Sequence, residues 1–237
     1  MLNRVTEALY FFRQHWLALL LLLGPVLVPL SIFQNHRFHV LHGGDIEKAA
    51  ADGLALGLQL FGGILANTLT ILYCLHQLQP DAGPVSRSAL WQQALPRVPG
   101  LFVVQILTGI AVFGGLMLLI VPGVWLIGVF MPAYVLVVAE HPSGLEALRR
   151  AWARFRPGAW MLAGSMGVML SGLLLVLSGF AGLERGLAGE EAGLRWVLAS
   201  LLDIAAMLCT QVVAILLVRF YDLERSANPA PPAAGDL

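Results

Sequence analysis

One carboxylic acid lies inside an otherwise apolar stretch of this chain, where its charge is costly. Asp203 stands in the run LASLLDIAAMLC, and an ionised carboxylate in hydrocarbon costs about 2.5–3.5 kcal/mol on the insertion scale. It therefore needs a partner, water or a proton. Amide side chains offer partners, namely Asn67 and Gln105 in other apolar runs and Gln211 further along the same run. The four residues are a candidate ion or proton site, although hydrogen bonding between helices is the simpler interpretation.

A second candidate site is the basic segment EALRRAWARFRPGAW, which contains Arg149, Arg150, Arg154 and Arg156. Ser143 and Glu146 form the S-x-x-E pattern of a capping box at its start. An apolar face is formed by residues spaced three and four apart, which are Leu145, Leu148, Trp152 and Phe155. The pattern predicts an amphipathic helix in the headgroup plane whose arginines contact anionic phospholipid. The same arginines also suit a topology anchor.

Three histidines, His36, His39 and His42, stand in NHRFHVLHGGDIE near two acids. Neutral imidazole is a common metal ligand, but this spacing lacks a zinc signature, so a polar interfacial loop is the favoured interpretation. No phosphate-binding loop, dinucleotide fingerprint or hydrolase motif is visible. The sequence therefore predicts no metal, no cofactor, no catalytic residue and no nucleic-acid partner.

The elements that must position these residues follow from composition. Of 237 residues 58% are hydrophobic and only 12% are charged, and the formal net charge is zero. A soluble domain carries about twice this charged fraction, so the chain belongs in a membrane. Cys74 and Cys209 both lie in apolar runs, which favours buried thiols over a disulfide.

Six apolar segments approach the roughly 20 residues that a membrane span needs. They are Trp16–Phe33, Gly53–Leu78, Gly100–Ile120, Val124–Glu140, Gly158–Leu183 and Leu194–Phe220. Backbone groups in hydrocarbon must be satisfied within each segment, so these are helices. The predicted fold is an all-α bundle of six transmembrane helices over residues 1–225, followed by a disordered cytoplasmic tail over residues 226–237.

The basic residues predict the orientation of the bundle. With six spans, ten of the 14 Lys and Arg residues lie on the side of the termini and four on the other, which are Arg37, Lys48, Arg185 and Arg195. Excess positive charge marks the cytoplasmic side, so both termini are predicted inside.

The turns and lead-in segments suggest a repeated unit. A similar segment precedes each of three spans: EALYFFRQHW, SALWQQALPRVPGLF and EALRRAWARFRPGAW. The similarity is compatible with three copies of a unit made of an interfacial helix and a helical hairpin. It is equally compatible with the Arg and Trp residues that membrane interfaces generally carry. Pro122-Gly123 predicts the tight outer turn between the third and fourth spans. Small residues four apart predict close helix packing, at Gly53 and Gly57, Ala111 and Gly115, and Ala163, Gly167 and Ser171.

Several segments resemble the YciC family of bacterial inner-membrane proteins. They are Phe11-Phe12-Arg13, Val121-Pro122-Gly123 and the run from Leu145 to Trp160. The plan is similar to the membrane domain attached to some bacterial glycerophosphodiester phosphodiesterases, and Phe220-Tyr221-Asp222-Leu223 resembles the close of that wider group. The resemblance covers nearly the whole chain. It implies a six-span inner-membrane protein with no assigned reaction, and it supplies no catalytic residues because those relatives carry a separate soluble catalytic domain.

Two functions are compatible with these patterns. The first is a non-enzymatic protein of the bacterial inner membrane that organises the envelope or its lipids, with membrane phospholipids as partners. The second is a small transporter or channel whose path follows Asp203 and the polar residues of spans two, three and six. Association with other membrane proteins or with a second copy of the chain is left open.

Overall fold

Every regular element in the described part of this chain is a helix. The computed structural model describes residues 2–42, 45–79, 83, 86–186 and 192–227. Its helices are α1 (Leu2–His36, with a π-helical extension Arg37–Leu41), α2 (Ile46–Ala50), α3 (Gly53–Gln77), α4 (Arg87–Ala94), α5 (Val98–Leu118), α6 (Ile120–Phe130), α7 (Ala133–Glu140), α8 (Gly144–Phe155), α9 (Ala159–Gly186) and α10 (Ala192–Ala227). The prediction of an all-α chain is confirmed.

Six helical stretches among the described residues are long and apolar enough to cross a membrane. They are Asn3–Leu41, Gly53–Gln77, Arg87–Leu118, Ile120–Glu140, Gly144–Leu183 and Trp196–Ala227. Each predicted span lies within one of these stretches or overruns its end by no more than two residues. The helices indicate a multi-pass membrane protein.

Helices α1, α3 and α10 pack against one another in the bundle. Contacts at both ends of the pair show that α1 and α10 are antiparallel: the Arg4 guanidinium lies 4.6 Å from the Phe220 ring, and the Ser31 hydroxyl donates to the Ser200 carbonyl at 2.9 Å. Between these ends the side chains are almost fully buried, for example Leu19, Leu23, Leu69, Ile215 and Leu216. In hydrocarbon this close packing acts through van der Waals contact and hydrogen bonds between helices.

The hairpin between the third and fourth spans turns at Leu119, three residues before the predicted Pro122-Gly123 turn. Leu119 has the extended backbone (φ −163°, ψ 142°), whereas Pro122 and Gly123 lie in the first turn of α6. Proline is tolerated there because a first-turn N–H has no intrahelical acceptor. Gly123 allows α5 to approach, since a Cβ on it would lie 2.7 Å from the Leu116 backbone nitrogen. The Pro-Gly turn prediction is therefore wrong in position.

The predicted fourth span is divided into α6 and α7. Met131 and Pro132 form the turn between them, because proline has no N–H to continue the helical hydrogen-bond series.

The three lead-in segments fold in two different ways. The first is simply the beginning of α1, which continues without a break through Pro25 and Pro29. The second and third are the separate helices α4 and α8, each followed by a 3-10 turn that contains a proline, over Leu95–Arg97 and Arg156–Gly158. The local geometry thus relates the last two lead-ins and sets the first apart.

The sixth span extends further than predicted. Helix α10 continues past Phe220 to Ala227, so Ser226 and Ala227, which were assigned to the tail, are helical. The Ser226 hydroxyl donates to the Asp222 carbonyl at 2.8 Å within this last turn. The remaining tail residues, 228–237, lie outside the described residues.

Candidate functional site

Helix α8 is fixed at its start by a cap and an ordered turn. The Ser143 hydroxyl accepts the Glu146 N–H at 3.4 Å, which confirms the serine half of the predicted capping box. The Glu146 carboxylate instead accepts from Arg150 Nε at 3.0 Å. Before the cap, His141 has a left-handed backbone (φ 58°) that ends α7, and its Nε2 accepts from Arg97 Nε at 3.0 Å. The direction in which α8 leaves α7 is therefore set by the left-handed turn at His141, which contacts Arg97 from another segment, and by the Ser143 cap.

One side of α8 is buried against the rest of the protein. The approach is close at Gly144, where a Cβ would lie 2.8 Å from Val103 Cγ1. Ala147 and Ala151 are fully buried, and Leu148 and Phe155 nearly so. The predicted apolar face is thereby divided, since Leu145 and Trp152 remain 70% and 39% exposed. The fully buried residues of α8 are instead Ala147 and Ala151, which are absent from the predicted face.

Two of the four arginines bind the same carboxylate at one edge of the buried side. Arg150 Nη1 donates to Glu140 Oε2 at 3.1 Å, and Arg154 Nη1 donates to Glu140 Oε1. The Tyr221 hydroxyl donates to Glu140 Oε1 at 3.2 Å. We call Glu140, Arg150, Arg154 and Tyr221 the Glu140 clamp, because it joins α7, α8 and α10. Glu140 and Tyr221 were not predicted as site residues; the only sequence signal was an acid ending a span beside a basic helix.

The other two arginines are exposed: Arg149 lies on α8, and Arg156 follows its last residue at the start of the 3-10 turn. Leu145, Arg149, Trp152 and Arg156 follow one another at spacings of four, three and four residues, which places them along one stripe of a helix. All four are exposed, and the Arg156 guanidinium lies 5.8 Å from the Trp152 ring. Among the described residues, Arg149 and Arg156 make no ion pair. We call these four residues the α8 stripe; it alternates apolar and cationic side chains.

The predicted ion site is distributed over three places. Asn67 and Gln105 do come together, with Tyr134 and Thr210, around a partly open cavity of about 270 Å³ between α3, α5, α7, α9 and α10. The Tyr134 hydroxyl donates to Gln105 Oε1. We call this the central cavity.

The other two members of the predicted ion site lie elsewhere. The Gln211 Oε1 accepts from Thr70 at 3.0 Å and its Nε2 donates to the Met207 carbonyl at 3.2 Å, so this amide joins α10 to α3. Asp203 lines a different cavity, also of about 270 Å³, with Gln34, Asn35 and two phenylalanines. The structure therefore does not bring Asp203 together with Asn67 and Gln105.

Of the three histidines, His42 takes part in an ion cluster. The predicted loop is in part helical, since His36 ends α1 and His39 lies in its π-helical extension. Asp52 caps α3 by accepting the Ala55 N–H at 3.2 Å, and it also binds Arg37 and accepts a hydrogen bond from His42 at 3.0 Å. These hydrogen bonds from His42 and Arg37 hold the pKa of the Asp52 carboxyl well below its usual range. In the part of the chain that the structure describes, no group of three or more His, Cys, Asp or Glu side chains is placed to hold a metal ion.

Asp52→Asn should lower the thermal unfolding midpoint at pH 7, because the amide cannot replace a charge that faces Arg37. Since folding lowers the pKa of Asp52, its stabilisation is present above the unfolded pKa of about 3.9 and is lost as the pH falls below it. The difference in thermal unfolding midpoint between Asp52→Asn and the parent protein should therefore become smaller below about pH 4. Thermal scans in detergent between pH 3 and pH 7 measure it. Glu47→Gln, at an exposed acid in the first turn of α2, is the matched control; a pH-independent deficit in Asp52→Asn would contradict the ion cluster.

The geometry thus presents a fixed helix with an exposed basic and aromatic stripe, and an uncharged cavity within the bundle. No family model, curated protein or solved structure matches this chain.

Proposed function

We propose that this chain is a non-enzymatic, multi-pass protein of the bacterial inner membrane that binds anionic phospholipid headgroups through the α8 stripe. Both termini are then cytoplasmic, as the distribution of Arg and Lys predicts. The resemblance to the YciC family agrees with this proposal and remains a prediction.

The observation that carries the proposal is the division of the four arginines. Arg150 and Arg154 are engaged by Glu140, which holds α8 in place. Arg149 and Arg156 are exposed beside Trp152, whose indole is typical of a membrane interface. Basic residues near a membrane surface contribute about 1 kcal/mol each toward anionic lipid. Lipid binding is therefore proposed for two of the four predicted arginines, and helix positioning for the other two.

The test is neutralisation of the stripe. Arg149→Gln with Arg156→Gln should weaken phosphatidylglycerol retention about 30-fold, which corresponds to about 2 kcal/mol for two basic residues. Native mass spectrometry of protein taken from mixed phosphatidylglycerol and phosphatidylethanolamine micelles measures the retained lipid.

The matched control is Arg87→Gln with Arg225→Gln, which removes two exposed arginines outside α8. It should leave retention within about twofold of the parent, because neither side chain lies on the stripe. A C-terminal reporter checks that both variants keep one orientation. Equal loss in the two double variants would reject a site on α8 and leave only a general charge effect.

The transporter alternative has less support. A path would join Asp203 to the amides of the central cavity, yet these line separate cavities, and Gln211 is engaged with Thr70. Interhelical hydrogen bonding accounts for Gln211.

A further inference from the structure

The central cavity has a composition unlike that of an aqueous path. Seven of its eleven lining residues are Ile, Leu, Met, Val or Ala, and the other four are Asn67, Gln105, Tyr134 and Thr210. None is charged. A charged ligand would meet no opposite charge here, whereas an uncharged molecule with a hydrocarbon part would fit the lining.

The cavity lies near the middle of the helices that surround it. Asn67 is close to the midpoint of α3 (Gly53–Gln77), and Thr210 is close to the midpoint of α10 (Ala192–Ala227). On α9 (Ala159–Gly186) the lining residues Leu170 and Leu173 are also central. A ligand at this depth lies at the level of the lipid chains, so it reaches the cavity from the bilayer interior rather than from the headgroup region.

Two carboxamides at the cavity have hydrogen-bond donors to offer. The Tyr134 hydroxyl donates a hydrogen bond to Gln105 Oε1, and the NH₂ group of Gln105 can still donate hydrogen bonds to a ligand. Among the described residues, the Asn67 amide makes no hydrogen bond. An unsatisfied amide in hydrocarbon costs several kcal/mol, so an acceptor oxygen placed between Asn67 and Gln105 would be stabilised. Thr210 already donates to the Met207 carbonyl at 2.6 Å and accepts from Gln211 at 3.3 Å, so it offers less.

From these observations we infer that the central cavity binds an uncharged lipid, held by an acceptor oxygen at Asn67 and Gln105 and by its hydrocarbon chain against α9 and α10. An ester carbonyl of a diacylglycerol and a ring carbonyl of a quinone share this chemistry. The site goes beyond the α8 stripe, because it uses different residues and excludes the charged headgroup that the stripe would bind.

Photoaffinity labelling of the purified full-length chain in detergent tests this inference. The probes are a dioctanoylglycerol and a decylbenzoquinone, each with a diazirine in the alkyl chain, and a phosphatidylglycerol with the same label. One neutral probe should label peptides that contain Met131 or Leu170, and the unlabelled compound should compete. The neutral probe that labels identifies the source of the oxygen. Equal labelling of these peptides by phosphatidylglycerol, or no labelling by either neutral probe, overturns the inference.

Substitutions at the cavity make the test specific. Asn67→Leu should reduce labelling about fivefold, as expected for the loss of one hydrogen bond. Gln59→Leu is the matched control, because Gln59 is an amide of the same helix that lines another cavity. Leu173→Trp fills the cavity without removing a hydrogen bond, so it serves if Asn67→Leu does not elute as a folded species. Labelling that persists in a folded Leu173→Trp variant contradicts the site.

Discussion

Replacing Gly128 with alanine is expected to destabilise this protein more than the same replacement at any other glycine whose surroundings the structure describes. A Cβ at this position would overlap the Ala159 carbonyl oxygen and lie 2.9 Å from the carbonyl carbon and 3.2 Å from Cα. These are backbone atoms of α9, which cannot rotate away as a side-chain end can. Helices α6 and α9 must separate, and overpacking of this kind costs about 3 kcal/mol or more.

A titration with SDS from mixed micelles measures the free energy of unfolding. Gly109→Ala is the matched control, because a Cβ there meets nothing within 4 Å. That control should be neutral or stabilised by up to about 1 kcal/mol, since alanine favours a helix over glycine. If the free energy of unfolding of Gly128→Ala equals that of Gly109→Ala, α6 and α9 do not make the close contact described.

The small-residue pattern in the sequence did not identify Gly128. It indicated Gly115, which does lie against Gly123, where a Cβ would be 3.0 Å from the Gly123 Cα. It also indicated Gly53, Gly57 and Gly167, where a Cβ would meet nothing within 4 Å. Spacing along one helix shows where a partner can approach. It does not show which partner the other helices bring there, and that information is tertiary.

The spans themselves were predictable because their cause is local. A hydrocarbon layer requires about 20 apolar residues with satisfied backbone groups, and both requirements can be read along the chain. The turn between α5 and α6 was less predictable. Proline and glycine mark turns in general, but proline also fits the first turn of a helix, and here Pro122 does so while Leu119 reverses the chain.

The same limit applies to the arginines. Their number and spacing predicted an amphipathic helix, and α8 is one. Which arginines remain exposed depends on Glu140 and Tyr221, which come from other helices. The amides behave alike: Asn67 and Gln105 meet because α3 and α5 both border the cavity, whereas Gln211 faces Thr70. Residue types suggested the chemistry, and helix packing decided the partners.

Glu140→Gln should separate the positioning of α8 from its binding of lipid. The amide keeps the shape of the side chain but leaves Arg150 and Arg154 without the carboxylate that holds them. Removing one partner of a hydrogen-bonded ion pair is strongly destabilising when the pair is buried. Because the Glu140 side chain is 22% exposed, we expect a loss of about 1–2 kcal/mol, measured by the same SDS titration.

Glu146→Gln is the matched control for this prediction, since Glu146 also pairs with Arg150 but from one turn along the same helix. An exposed pair of that kind contributes about 0.5 kcal/mol or less. Phosphatidylglycerol retention should not fall in Glu140→Gln, because the α8 stripe keeps both of its arginines and the clamp releases Arg154, while Arg150 keeps its pair with Glu146. If Glu140→Gln loses both stability and lipid retention, the stripe binds lipid only while Glu140 holds α8. If Glu140→Gln and Glu146→Gln are equally stable, the Glu140 clamp does not position α8.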